Sequence, residues 1–305
     1  MSRLIAHIRP WLWDEREFGR VAVTAGAVHF SVHPSSAQID LYGSLTKRPV
    51  PGYMGRIGMA EVSVQILGSG DAFGSGGRFQ TCIHVRSEAT HLLIDCGASS
   101  LVAMKRFGVD PLLVDTILLS HLHGDHFGGV PFFIMDAHYV SRRRKPLIVA
   151  GPPGLEARIF EAMEVLFPGS SRTHSEFALE FVELPDETAT KVDSLVVTPY
   201  SVVHPSGAPS YALRIALEDK ILAYSGDTEW TDALIPVARG ADLFVCECFS
   251  PEKRGGYHLN YQTLMDHRTE LECRKLILTH MNDDMLHRLG SLDVEGAEDG
   301  KIIAL

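Results

Sequence analysis

Seven consecutive residues, Ser120-His121-Leu122-His123-Gly124-Asp125-His126, carry three imidazoles and a carboxylate directly after the apolar run Thr116–Leu119. Neighbours i and i+2 at the end of a strand lie on one side, so His121 and His123 are expected to share one metal. Gly124 is expected to turn the chain sharply and swing Asp125 and His126 toward a second position. Imidazole and carboxylate donors without a thiolate suit zinc, with manganese or iron as alternatives. The loop alone supplies too few ligands. His204 follows the apolar run Leu195–Val203, Asp227 follows Ile221–Tyr224 in Tyr-Ser-Gly-Asp-Thr, and His280 follows Lys275–Thr279. All three fall where a strand gives way to a loop, the place where α/β scaffolds present functional groups.

The elements that must position these groups are legible as alternating runs. Strands are predicted over Glu61–Leu67, Thr81–Arg86, His91–Asp95, Thr116–Leu119, Phe177–Leu184, Leu195–Val203, Tyr211–Leu217, Ile221–Tyr224, Leu243–Cys246, Lys275–Thr279 and Ile302–Leu305. Helical spacing is read over Ser99–Phe107, Val130–Val140, Gly154–Phe167, Trp230–Ala238, Tyr261–Glu270 and Asp283–Leu289. Strand runs with interleaved helices in two halves predict an α/β protein whose sheets are covered by helices. Residues 1–59 read as an N-terminal extension, with one or two short strands in Val21–Pro34 and a Pro- and Gly-rich connector over Lys47–Gly58. The folded unit is expected over 60–305, opening near Met59.

Composition narrows the function classes. The 305 residues carry 28 Lys plus Arg against 38 Asp plus Glu, a formal charge of −10, which argues against nucleic-acid or anionic-membrane partners. Five cysteines without a C-x-x-C pair indicate neither a disulfide framework nor a thiolate zinc site. The start lacks the apolar core of a secretory signal, and no apolar run is long enough to span a bilayer, so the expected location is the cytoplasm.

The heptapeptide together with His204, Asp227 and His280 resembles, in order and spacing, the metallo-β-lactamase superfamily over roughly 60–305. The resemblance implies an αββα sandwich, two mixed β-sheets flanked by helices. It implies that His121, His123 and His204 hold one divalent metal ion and Asp125, His126 and His280 a second, with Asp227 bridging. Leu67–Ala72 and Gly76–Thr81 look like the opening glycine-rich loop of the ribonuclease Z and phosphodiesterase branch. Glu247 in Val-Cys-Glu-Cys-Phe-Ser and His258 in Tyr-His-Leu-Asn match that branch's acidic residue and histidine, a dyad in which the glutamate orients the histidine toward the leaving group.

Two departures shape the expectation. The opening loop lacks the Pro and Arg-Asn pair usual in ribonuclease Z, and one strand pair alone separates His204 from Asp227, where many ribonuclease Z proteins carry a tRNA-holding arm. The expected activity is a dinuclear metal-dependent hydrolase, a phosphodiesterase for a small or cyclic phosphodiester. Two cations about 3.5–4 Å apart hold a water and lower its pKa from about 15.7 toward 7, giving a bridging hydroxide. Asp125 would orient that oxygen, and His258 held by Glu247 would protonate the leaving group. The alternatives are a lactonase, arylsulfatase or thioesterase, tRNA processing, an iron redox protein, or a non-catalytic metal-binding protein. Expected partners are a small-molecule substrate and a second copy of the chain, since dimers are common in this branch.

Other features have plainer readings. His7, His29, His33, His84, His91, His138, His174, His267 and His287 read as ordinary core or surface histidines. Cys246 and Cys248 read as small buried apolar residues, Ser141–Lys145 as a solvated helix end, and the glycine-rich loop as the rim of the metal site.

Overall fold

The computed structural model describes residues 62–173, 175–252 and 256–305. The expected extension, its short strands, and His7, His29, His33 and His174 lie outside the described residues.

Two seven-stranded sheets form the body. Sheet 1 contains β1 (Ser63–Gly68), β2 (Cys82–Arg86), β3 (His91–Ile94), β4 (Thr116–Leu118), β5 (Leu147–Gly151), β6 (Leu179–Glu183) and β14 (Ile302–Ala304), in the order β14-β1-β2-β3-β4-β5-β6. Sheet 2 contains β7 (Thr190–Val192), β8 (Leu195–Ser201), β9 (Tyr211–Leu217), β10 (Lys220–Tyr224), β11 (Leu243–Glu247), β12 (Leu276–Thr279) and β13 (Glu295–Gly296), in the order β13-β12-β11-β10-β9-β8-β7. Both are mixed: β3 to β6 run parallel, as do β10 to β13, while β14, β1 and β2 and the β7-β8-β9-β10 run pair antiparallel.

Side-chain alternation then makes the layers. Val64, Ile66, Ile83, Val85, Leu92 and Ile94 of sheet 1 face Leu213, Ile215, Leu222, Tyr224, Val245 and Ile277 of sheet 2 in one apolar core. Each fully buried side chain of this kind contributes about 1.5–3 kcal/mol, so the face-to-face packing contributes strongly to stability. The outer face of sheet 1 is covered by α1 (Ser100–Phe107), α2 (Gly124–Phe127), α3 (Val130–Tyr139) and α4 (Leu155–Leu166). The outer face of sheet 2 is covered by α5 (Leu234–Ala238), α6 (Tyr261–Asp266) and α7 (Asp283–Arg288). The chain is an αββα sandwich, as expected.

The differences from expectation are local. Strands β5, β7 and β13 were not among the predicted elements. The β5 segment Leu-Ile-Val-Ala-Gly is a parallel strand buried on both faces, and such a run has no alternation to read. Strands β7 and β13 are three and two residues long. The helix expected over Trp230–Ala238 starts only at Leu234, after tight turns in which Leu234 N donates to Thr231 O and Ile235 N to Asp232 O. The helix expected over Tyr261–Glu270 breaks at His267 into a 3₁₀ turn, Arg268–Glu270. Among the described residues, no helix is long and apolar enough to cross a membrane.

Candidate metal centre

The strands of both sheets deliver their C-terminal ends to one edge. Asp95 follows β3, the histidine loop follows β4, His204 follows β8, Asp227 follows β10, Glu247 ends β11 and His280 follows β12. The two sheets are joined there by a hydrogen bond from Tyr211 N to Ser120 O, at 3.0 Å.

Within the loop, His121 and His123 lie past the end of β4, and His123 is the N-cap of α2. The expected sharp turn at Gly124 does not form. Gly124 is the first residue of a helical turn with no positive φ, and that turn carries Asp125 and His126 around to their position. His126 N and Phe127 N both donate to His123 O at 3.0 Å. Close backbone contact fixes the turn from below: a Cβ on Gly97 would sit 2.3 Å from Asp125 O. His280 and Asp95 both adopt left-handed backbone, at φ 55° and 57°, uncommon for residues other than glycine.

The donor atoms converge. His123 Nδ1 lies 3.0 Å from His204 Nε2, and His121 groups with both. Asp125 Oδ2 lies 3.1 Å from His126 Nε2 and 3.2 Å from His280 Nε2. A single oxygen, Asp227 Oδ2, is 3.3 Å from His126 Nε2 and His280 Nε2 and 3.9 Å from His121 Nε2 and His204 Nε2. Among the described residues the donors fall into four overlapping groups: His121 with His123 and His204; Asp125 with His126, Asp227 and His280; His204 with Asp227 and His258; and Glu247 with His258 and His280. The first two bring together the residues named from the sequence, with Asp227 Oδ2 within 4 Å of nitrogens in both.

The opposite ring nitrogens are tied, which fixes tautomers. His121 Nδ1 meets Ser120 Oγ at 3.0 Å, His126 Nδ1 meets Asp95 Oδ2 at 2.7 Å, and His204 Nδ1 meets Tyr257 O at 2.8 Å. Asp95 also accepts from Ser120 N and Ser120 Oγ, each at 2.8 Å. It was missing from the sequence reading. Its one local signal is a carboxylate at the end of an apolar strand; its partners lie 25 and 31 residues away.

The site fits a cation. Asp95, Asp125, Asp227 and Glu247 are all buried, yet His121 Nε2, His126 Nε2 and Asp227 Oδ1 have no hydrogen-bond partner among the described residues. Orphaned donors and acceptors facing one another in a buried carboxylate cluster are what bound metal ions satisfy. Burial, with His126 beside it, drives His121 well below its ordinary value, which keeps its ring neutral. Burial opposes charge on His126 as well, but Asp227, Asp95 and Asp125 outweigh it and raise His126. A cation would take the place of that proton.

Glu247 and His258 also meet, as expected. His258 Nδ1 lies 3.2 Å from Glu247 Oε2 and 4.0 Å from Asp227 Oδ2. Its ring stacks on Phe249 at 4.8 Å and lies 5.4 Å from His280. Burial, then the Asp227 carboxylate, pushes Glu247 well above its ordinary value. Cys246 and Cys248, its neighbours, face away into the apolar layer of sheet 2, as expected. These groups open on a cavity of about 360 Å³, rimmed by Ala72 and Phe73 of the glycine-rich loop.

One plain reading fails. Arg143 is not part of a solvated helix end but is 1% exposed, with Nη2 donating to Val114 O and Pro146 O at 2.6 Å and Nε to Lys145 O at 2.9 Å. Its neighbours in the basic run pair outward, Arg144 with Glu176 and Lys145 with Asp115.

With the geometry in hand, comparison with known proteins gives a consistent picture. The family described as "Anti-Pycsar protein Apyc1" matches residues 62–296. An uncharacterised protein of Mycobacterium leprae, ML1173, is 30% identical over 239 residues, 76% of this chain and 82% of that protein. Ribonuclease Z of Lachnoclostridium phytofermentans is 24% identical over 277 residues, 73% of this chain and 88% of that protein. Among solved structures, the metallo-β-lactamase fold protein YhfI of Bacillus subtilis superposes with a TM-score of 0.65 at 21% identity, covering 80% of this chain and all of that one.

Proposed function

The chain belongs to the Anti-Pycsar protein Apyc1 family, in the ribonuclease Z and phosphodiesterase-like branch of the metallo-β-lactamase superfamily, and from that premise we propose that it is a dinuclear metal-dependent phosphodiesterase for small or cyclic phosphodiesters. His121, His123 and His204 would hold one divalent ion, Asp125, His126 and His280 a second, and Asp227 would reach both. Zinc suits this nitrogen and oxygen donor set best. When bound, the ions lower the pKa of water and offset negative charge developing on phosphoryl oxygens.

The observation that carries the phosphodiester reading is the Glu247–His258 pair at the cavity edge. Glu247 engages His258 Nδ1, and Nε2 has no hydrogen-bond partner among the described residues. As water attacks phosphorus and the P–O bond to the leaving group breaks, the departing alkoxide takes a proton from His258 Nε2. Asp125 would orient the attacking oxygen by accepting a hydrogen bond from it. Phe249 against the imidazole face fixes the ring plane.

Size and charge support a small substrate. A cavity of about 360 Å³ lies toward the small end of ligand sites, about 300–1,000 Å³. No Lys or Arg lines it among the described residues. Between His204 and Asp227 stands only the β9–β10 hairpin, with no room in the sequence for a tRNA-holding arm.

The test is turnover by zinc- or manganese-reconstituted protein of bis-p-nitrophenyl phosphate, cyclic nucleotides, lactones and aryl sulfates. Diester hydrolysis is expected, and His258→Ala should slow an alkyl leaving group by about 10²–10⁴-fold but a p-nitrophenyl group far less. Turnover of lactones or aryl sulfates without diester turnover refutes the proposal. Equal slowing of both leaving groups removes His258 from the proton transfer.

A further inference from the structure

A second cavity, of about 290 Å³, lies on the outer face of sheet 1 at the strand ends opposite the metal centre. Alternation puts Ser63 and Gln65 of β1, His84 and Arg86 of β2 and His91 of β3 on this face. The pairings Gln65 with His84, Ser63 with Arg86 and Arg86 with His91 set them side by side. Farther along, the same face is apolar, with Leu67, Cys82 and Leu93 under the helices. The polar block is not simply the wet side of a sheet, because His84 is only 5% exposed. Phe107 and Val109, at the end of α1, wall it. Along β1 the distance to the catalytic edge is about 17 Å.

One carboxylate, Asp110, lines this cavity, and among the described residues it forms no ion pair with Arg86. His84 Nε2 and His91 Nδ1 are 3.2 Å apart and share one hydrogen bond. Arg86 is exposed and has no carboxylate partner among the described residues. The nearby carboxylates are engaged elsewhere: Asp115 with Lys145 at 2.6 Å and with His91 N at 3.2 Å, Asp110 as acceptor from Leu112 N at 2.9 Å. Burial first, then His91 and Arg86, push His84 down to about 4; burial also lowers His91, with Asp115 opposing and Arg86 and Lys145 assisting. An anion seated among these groups would reverse that bias and bring a proton with it.

We propose that this cavity is a binding site for a tetrahedral oxyanion of the phosphate class, separate from the metal centre. Donors from a guanidinium, two imidazoles, a hydroxyl and an amide outnumber what a planar carboxylate accepts and suit three phosphoryl oxygens. The apolar wall suits an ester group on that phosphate.

Sulfate is the probe, because its charge is constant across the titration range of histidine. It is added to the full-length metal-loaded protein while the ring signals of His84 and His91 are followed by NMR. The expected result is a saturable shift of both rings, with affinity at least about five-fold tighter near pH 6 than near pH 8 because binding takes up a proton. Arg86→Gln should weaken binding by about ten-fold or more, and Arg86→Lys should restore part of it. Phenyl phosphate against inorganic phosphate identifies the source: tighter phenyl phosphate means an organic ester, equal affinity means free phosphate, and either keeps the site. No saturable shift, or the same shift in Arg86→Gln, overturns it. The readout needs no turnover, so it stands or falls apart from the phosphodiesterase proposal.

Discussion

Asp95→Asn is the sharpest probe of the metal centre, because the substitution preserves shape while removing one acceptor. In the folded chain Asp95 Oδ2 accepts from His126 Nδ1 at 2.7 Å and Ser120 Oγ at 2.8 Å, and Oδ1 accepts from Ser120 N at 2.8 Å. An asparagine has one carbonyl oxygen. If it faces His126, the amide NH₂ opposes Ser120 N–H; if it faces Ser120 N, the NH₂ opposes the His126 ring. Either orientation strands a buried donor, at about 1–3 kcal/mol, and removes the charge that strengthens the bond to His126. Asparagine tolerates the left-handed backbone at this position, so the backbone itself is not disturbed. A partner of this kind behind a metal-binding histidine is worth about 10–100-fold in metal affinity. The assay is competition for zinc with a chromogenic chelator, paired with urea unfolding of the chelated protein to separate the folding cost. Metal affinity within about three-fold of wild type, in a variant that remains folded, would refute the claim that Asp95 holds His126 for a metal.

Three further outcomes follow from the geometry of the fold. Gly226 has φ 60°, and a Cβ there would lie 2.5 Å from Tyr211 O; Gly226→Ala should displace Asp227 and lower bound metal per chain, read by elemental analysis. Arg143→Lys should destabilise the fold by about 2–4 kcal/mol, because one ammonium cannot serve carbonyls spread around a planar guanidinium, whereas Arg142→Lys should stay within about 0.5 kcal/mol; urea unfolding compares them. His84 titrates near 4 when folded and near 6.5 when unfolded, so its contribution is complete above about pH 6.5 and is lost as pH falls toward 4. At about pH 5 that loss is about 2 kcal/mol, and a His84→Asn variant should lack this part of the acid-side slope in pH-dependent unfolding.

The amino-acid order by itself determined the chemistry on offer. Three imidazoles and a carboxylate in one short stretch, with His204, Asp227 and His280 each just past an apolar run, named donors and strand ends together. Those signals are local. A strand end is visible because alternation stops there, and a ligand type is visible because imidazole and carboxylate chemistry travels with the residue. That helices cover the sheets followed in the same way, since each helix and strand buries one face whatever it packs against, while the two-sheet sandwich itself was implied by the family resemblance.

Tertiary structure decided which groups stand behind the ligands. Asp95 reaches His126 across 31 residues, the Tyr257 carbonyl sets the His204 ring across 53, and Asp227 Oδ2 ends among nitrogens contributed by both sheets. Such contacts leave no periodicity in the chain, because they are made only when separate strands end at the same edge. Arg143 shows the same limit from the other side. In the sequence it is one charge in a basic run; in the fold, carbonyls from the segment ahead of β4 and from its own turn converge on it, and their hydrogen bonds make its burial tolerable. What a side chain can do is written in its type, but which neighbours it does it with is fixed by how the sheets meet.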